Sequence, residues 1–230
     1  MGSGQARQIP LDLGHRTALG REDFLIAPCN RDAVGWIDRW PEWPHWAALV
    51  VGPEGSGKSH LGQVWRLKSG ADGVAGPELG EPDVARLERA RALLVEDIDR
   101  GIGNERVLFH LLNLAREHRL SILLTSRRPP GDTAFGLPDL RSRLRALPVT
   151  MIEVPDETLL RSVLVKLFAD RQLAVEPHVI GHMALHMERS MRAALALVAT
   201  ADRLALARQR RVTRAIAAEA LALYRRDEAV

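Results

Sequence analysis

Two kinds of apolar patterning divide this chain. In the first, unbroken apolar runs alternate with stretches in which apolar residues recur every three or four positions. The runs at 47–51, 92–95 and 121–126 are short and bounded by Gly, Pro or acidic residues, which predicts strands buried on both faces. A further strand is predicted at 149–154. Helical spacing is clearest at 104–118, where Val107, Leu108, Leu111, Leu112 and Leu114 are apolar. A second helix is predicted to start near Asn30, with Asn30 as its cap, and a third to run through 61–67. The Gly- and Pro-rich stretch 70–82 predicts loops around at most one short strand. Strands alternating with helices imply an α/β fold with a parallel sheet covered on both faces. From Pro155 the pattern changes. Helical segments near 156–170, 177–187, 189–208 and 213–226 follow without a strand, which predicts a small all-helical domain. The expected organisation is an N-terminal arm at 1–22, an α/β domain at 23–154 and a helical lid at 155–230.

Composition narrows the class. The 230 residues are 46% hydrophobic, enough for a real core, and 27% charged. Net charge is only +3, with Lys58, Lys68 and Lys166 the only lysines among 32 basic residues, so charge alone does not call for nucleic acid. The single cysteine, Cys29, excludes an internal disulfide and argues against a cysteine-based metal site. No apolar run approaches 18 residues and no signal-like pattern opens the chain, so a cytoplasmic protein without membrane partners is expected.

The chemistry concentrates in Gly52-Pro53-Glu54-Gly55-Ser56-Gly57-Lys58-Ser59-His60, which reads GxxxxGKS between a strand and a helix. Glycines let the backbone curl so that successive N–H groups face phosphate oxygens, and the following helix offers its N-terminus to the same anion. Lys58 suits the β- and γ-phosphates and the Ser59 hydroxyl suits Mg²⁺. Glu96 and Asp97 end the 92–95 run, where a parallel sheet presents a Mg²⁺ ligand and a water-orienting base. The alternative is an acidic turn capping the next helix. Thr125 and Ser126 end another strand, within reach of a γ-phosphate or attacking water. Trp36, Trp40, Trp43 and Trp46 stand beside this loop, and helix-to-core packing is favoured for them over base stacking. His178, His182 and His186 fall on one helix face, and a surface or packing role is favoured over metal binding. The arginines at 208, 210, 211 and 214 read as a solvated face.

The order of these motifs resembles the AAA+ family, specifically its DnaA-type replication-initiator branch, over about residues 20–226. The stretch from Asp23 to Arg31 is similar to the segment that lines that branch's adenine pocket, implying Phe24, Ile26 and Asn30 as nucleotide contacts. Leu140-Arg141-Ser142-Arg143 resembles the box carrying an arginine finger, implying Arg143 as a catalytic group acting in trans. Ser190-Met191-Arg192 resembles the second sensor, implying that Arg192 faces the phosphates. The implied cofactors are ADP or ATP with Mg²⁺, held by Ser59 and Glu96, with Asp97 as the water-activating group. Two departures stand out: glutamate at 96 where the family usually has aspartate, and Arg127 where the first sensor usually presents an acid or amide. Mg²⁺ tolerates misplaced ligands poorly, so binding is expected to outlast hydrolysis, leaving a weak or partner-dependent ATPase.

The arm carries Gln8-Ile9-Pro10-Leu11-Asp12-Leu13. From composition it reads as a tail whose leucines fold back onto the domain, or as a short docking motif. The family resemblance favours docking, because Gln8, Ile9, Pro10, Leu11 and Leu13 are similar to a motif that binds the polymerase sliding clamp. With no helix-turn-helix after the lid, the chain resembles the Hda-type adaptors of this family. That implies the clamp and the DnaA initiator as partners, DNA contact only indirect or weak, and room for a homodimer. An autonomous AAA+ ATPase, such as a helicase loader or truncated initiator, is the first alternative, and a P-loop kinase is the second.

Overall fold

The computed structural model describes residues 20–21 and 24–227. Five strands form one sheet: β1 (Ala47–Val51), β2 (Asp72–Ala75), β3 (Ala92–Glu96), β4 (Ser121–Ser126) and β5 (Val149–Met151). Their order is β2-β3-β4-β1-β5 and every pairing is parallel. The helices α1 (Arg31–Asp38), α2 (Lys58–Ser69), α3 (Pro82–Ala90), α4 (Glu105–His118) and α5 (Pro138–Arg145) belong to this layer structure.

Covering both faces explains the unbroken apolar runs, since alternate side chains leave opposite faces of a strand. All five residues of β1 are buried. Leu49 and Val51 join Leu93, Leu108, Leu111 and Leu124 in one core. Ala48 and Val50 join Ile37, Leu61, Trp65 and Leu123 in the core on the opposite face. The tryptophans serve this second core. Trp43 stacks on the fully buried Trp65 with ring centres 5.4 Å apart, and Trp40 meets Trp65 edge-on at 6.3 Å.

Beyond β5, α6 (Glu157–Asp170), α7 (Pro177–His186), α8 (Met191–Ala207) and α9 (Arg214–Asp227) enclose a third core with Leu160, Leu164, Phe168, Met183, Leu197 and Ala217. Side-chain caps set several helix starts. Asn104 accepts from the Arg106 and Val107 N–H groups, Asp156 from Leu159, and Ser190 from Ala193.

Three local readings change. Asn30 precedes α1 but does not cap it: its side chain turns back to the Ala27 N–H and the Leu25 carbonyl. The last strand stops at Met151, because Glu153 N–H leaves the sheet to bond Cys29 O at 2.8 Å. Helix α3, which follows directly on the Gly- and Pro-rich stretch, was not expected; Leu87 is its one buried apolar residue and Val84 packs half-buried against the same core.

Candidate phosphate-loop site

The loop leaving β1 is held tightly. Gly52 N–H donates to Ser126 O at 3.1 Å, and a Cβ on Gly52 would sit 2.4 Å from the Ile152 carbonyl oxygen. Gly55 and Gly57 adopt φ of +71° and +104°, backbone that side chains other than glycine's rarely accept. Gly57 then leads directly into α2. Lys58 is buried, and its Nζ donates to Gly52 O at 2.8 Å and Pro53 O at 2.9 Å. Burial holds its pKa below the ordinary 10.5, against the opposing pull of Asp97 and Asp99. A desolvated ammonium beside a helix N-terminus is an electrostatic seat for an anion.

A cavity of about 700 Å³ opens between this loop and the lid. Gly55, Ser56, Gly57, Lys58, Ser59 and His60 form its floor, whereas Gly52, Pro53 and Glu54 lie outside its lining. The lid closes directly on the floor: Met191 N–H donates to Gly55 O at 2.7 Å. Because Ser190 caps α8, the first turn of that helix is aimed at the loop, and Arg192 lines the cavity. Arg192 Nη1 also lies 3.9 Å from one carboxylate oxygen of Glu54, whose other oxygen is 3.7 Å from Arg127 Nη1.

At one side the cavity is apolar. Phe24 meets the His60 ring edge-on at 5.0 Å, and both line the space with Leu25 and Asn30. Ile26, expected there, is instead 53% exposed and absent from the lining. The buried Asn30 side chain bends the 24–27 segment, so it does not alternate as a strand would, and Leu25 takes the inward position. Lys166 and Asp170 approach from α6 and bridge each other at 2.9 Å.

At the acidic end, Glu96 lines the cavity with Ser59, and Glu96 Oε1 is buried with no hydrogen-bond partner among the described residues. An orphaned carboxylate oxygen on a residue that shares the cavity with a serine fits a hard divalent cation such as Mg²⁺. Asp97 is placed differently from its expected role. Its backbone is left-handed (φ +54°), its N–H donates to Thr125 Oγ1, and its carboxylate lies 3.5 Å from Arg100 Nη1. It does not line the cavity. Thr125 and Ser126 are also withdrawn from it. Both are buried, Thr125 accepting from Asp97 N–H and Ser126 donating to Arg128 O.

The residue that sequence reasoning missed is Asp99. Its nearly buried carboxylate accepts from the Arg127 backbone N–H at 2.9 Å and from Arg127 Nε at 2.7 Å. Burial pushes the Asp99 carboxyl up, but the Arg127 hydrogen bonds and charge outweigh it and hold the group below 3.8. The pair lines a second cavity of about 530 Å³. The available signal was an Asp-Ile-Asp spacing after β3, opposite an unexpected arginine after β4.

Arg143 stands away from the chain's own cavity, on α5, where its Nη2 donates to Asn113 Oδ1 at 2.8 Å. Residues 8–13, the expected clamp motif, lie outside the described residues. His182 and His186 lie with rings 4.4 Å apart, and no group of three metal-ligating side chains occurs among the described residues. None of the helices among those residues is long and apolar enough to cross a membrane.

No protein-family model and no curated protein sequence matches the chain. Solved structures do. Domain III of the Thermotoga maritima replication initiation protein DnaA matches with a TM-score of 0.75 at 19% identity, covering 94% of this chain and 98% of that one. AMPPCP-bound DnaA from Aquifex aeolicus matches at 0.66 and 20% identity, with 80% of this chain and 64% of that one. The Thermotoga maritima Holliday junction branch migration motor RuvB matches at 0.65 and 18% identity, covering 85% and 66%. At these identities the likeness fixes the fold, which is that of the AAA+ domains.

Proposed function

We propose that this AAA+-fold chain is a nucleotide-binding adaptor that holds ADP or ATP in its own cavity and promotes hydrolysis of ATP bound by a partner DnaA initiator. One observation carries the reading. The chain joins a well-formed phosphate loop and lid to a weakened hydrolytic set, while Arg143 stands outside its own cavity. Lys58 and the α2 N-terminus bind the phosphates, Arg192 reaches them from the lid, and Phe24, Leu25 and His60 receive the base. That Aquifex aeolicus DnaA of the same fold binds AMPPCP supports the nucleotide assignment.

Mg²⁺, where bound, supplies charge neutralisation between the phosphates. Ser59 and Glu96 are the groups that would hold it. Hydrolysis within this site lacks a poised base, because Asp97 is turned to Arg100 and both strand-end hydroxyls are engaged by backbone. Arg143 acts elsewhere: its guanidinium enters the partner's site and stabilises charge developing on the transferred phosphoryl group, an effect of roughly 10³–10⁵ in rate. Gln8, Ile9, Pro10, Leu11 and Leu13 tether the adaptor to the polymerase sliding clamp, raising local concentration on DNA with only an indirect or weak DNA contact of its own.

The test is stimulation of ATP hydrolysis by ATP-loaded initiator in the presence of DNA-loaded clamp. Wild type should stimulate and Arg143→Ala should not, while binding nucleotide equally well. Equal stimulation by Arg143→Ala overturns the trans role.

A further inference from the structure

One face of α4 converges on Arg143. Glu105, Phe109 and Asn113 follow one another at intervals of four, which places them in a row along a helix. Glu105 accepts from two backbone N–H groups just ahead of α5, Gly136 at 2.9 Å and Leu137 at 2.6 Å. Phe109 presents its ring to the Arg143 guanidinium, 5.9 Å from ring centre to Cζ. Asn113 accepts from Arg143 Nη2 at 2.8 Å. Glu105 thus sets where the helix starts, Phe109 supports the cation and Asn113 fixes its rotation.

Glu105 and Asn113 stand apart from the helix's core-forming positions, while Phe109 also packs against that core. Val107, Leu108, Leu111, Leu112 and Ala115 are buried, whereas Glu105, Phe109 and Asn113 are only half-buried. Asparagine inside a helix is a poorer helix former than alanine, so Asn113 is not explained by helix stability. The bond leaves Arg143 Nε and Nη1 without hydrogen-bond partners among the described residues, so donors remain for an anion. A long flexible cation otherwise loses rotamer entropy on reaching a phosphate.

We infer that Phe109 and Asn113 are positioning residues for Arg143, holding its guanidinium in the orientation that engages a partner's phosphoryl group. The inference rests on the trans role proposed for Arg143. It predicts an effect on the rate at saturation rather than on association.

The experiment measures initiator ATP hydrolysis with DNA-loaded clamp, titrating full-length adaptor to a plateau. Asn113→Leu should lower the plateau about tenfold with an unchanged half-saturating concentration, as expected for losing one charge-assisted hydrogen bond. Asn113→Asp keeps the acceptor and should restore the plateau. Phe109→Leu, which keeps apolar bulk, should lower it less. In an Arg143→Ala background, Asn113→Leu should change nothing further. If Arg143→Ala stimulates like wild type, the underlying reading fails and the positioning role with it. If Arg143→Ala is inactive but Asn113→Leu stimulates like wild type, or shifts only the half-saturating concentration, the positioning role alone is overturned.

Discussion

The backbone N–H of Met191 donates to the carbonyl of Gly55 at 2.7 Å, so the lid helix begins on the phosphate loop itself. The helices after β5 therefore meet the phosphate loop through main-chain atoms.

Substituting Gly55 tests that contact. A Cβ there would lie 2.6 Å from Ser190 Cβ, on backbone at φ +71°. Gly55→Val should prise the lid from the loop and weaken nucleotide binding at least tenfold, at a stability cost of about 1–3 kcal/mol. Isothermal titration and thermal melting check both. Unchanged affinity would mean that the lid contact does not shape the site.

Lys58 predicts a pH dependence. Its pKa in the folded chain lies below 10.5 because burial disfavours the ammonium. Its charge is therefore lost, as pH rises, earlier than that of a free lysine. Affinity for ADP should fall on the alkaline side through that depressed value. Lys58→Ala should bind weakly at every pH and lose the slope, which fluorescence titration with a labelled nucleotide would read.

Asp99 predicts an effect at the acid end. Its folded pKa is depressed, so its stabilising contribution is present above the unfolded value of about 3.9 and is lost as pH falls through the lower folded value. Asp99→Asn should cost about 1–3 kcal/mol near neutrality and flatten the acid limb of the stability curve. Denaturant melts at several pH values measure both.

Trp65 separates packing from recognition. It is fully buried under Trp40 and Trp43 and does not line the cavity. Trp65→Ala should destabilise by about 3–5 kcal/mol, and at a temperature where the variant remains folded its nucleotide affinity should match wild type.

Periodicity made much of this fold legible. The runs of β1, β3 and β4 had to be buried on both faces, and Asn104 marked the start of α4. Helix α3 was not read from the sequence: it is nine residues long, Val84 and Leu87 are its only large apolar side chains, and it follows directly on a Gly- and Pro-rich stretch. At the site, Gly55 to His60 and Glu96, reached from motif spacing, and Arg192, implied by the family resemblance, were found lining the cavity. Ile26, Asp97 and the two strand-end hydroxyls were not, since their roles turn on local bends. Asn30 pulls the chain back at Leu25, and the left-handed backbone at Asp97 directs that carboxylate to Arg100. The Asp99–Arg127 pair joins residues 28 positions apart, and only the sheet brings them together.

The most direct test of the whole account asks whose nucleotide is consumed. The adaptor is loaded with labelled ATP and mixed with unlabelled ATP-initiator on DNA-loaded clamp, and the labels are then exchanged between the two proteins. A single turnover is followed in each case. The account predicts rapid loss of label from the initiator and persistence of label on the adaptor. Rapid hydrolysis of the adaptor's own ATP, with the initiator's ATP left intact, would contradict it.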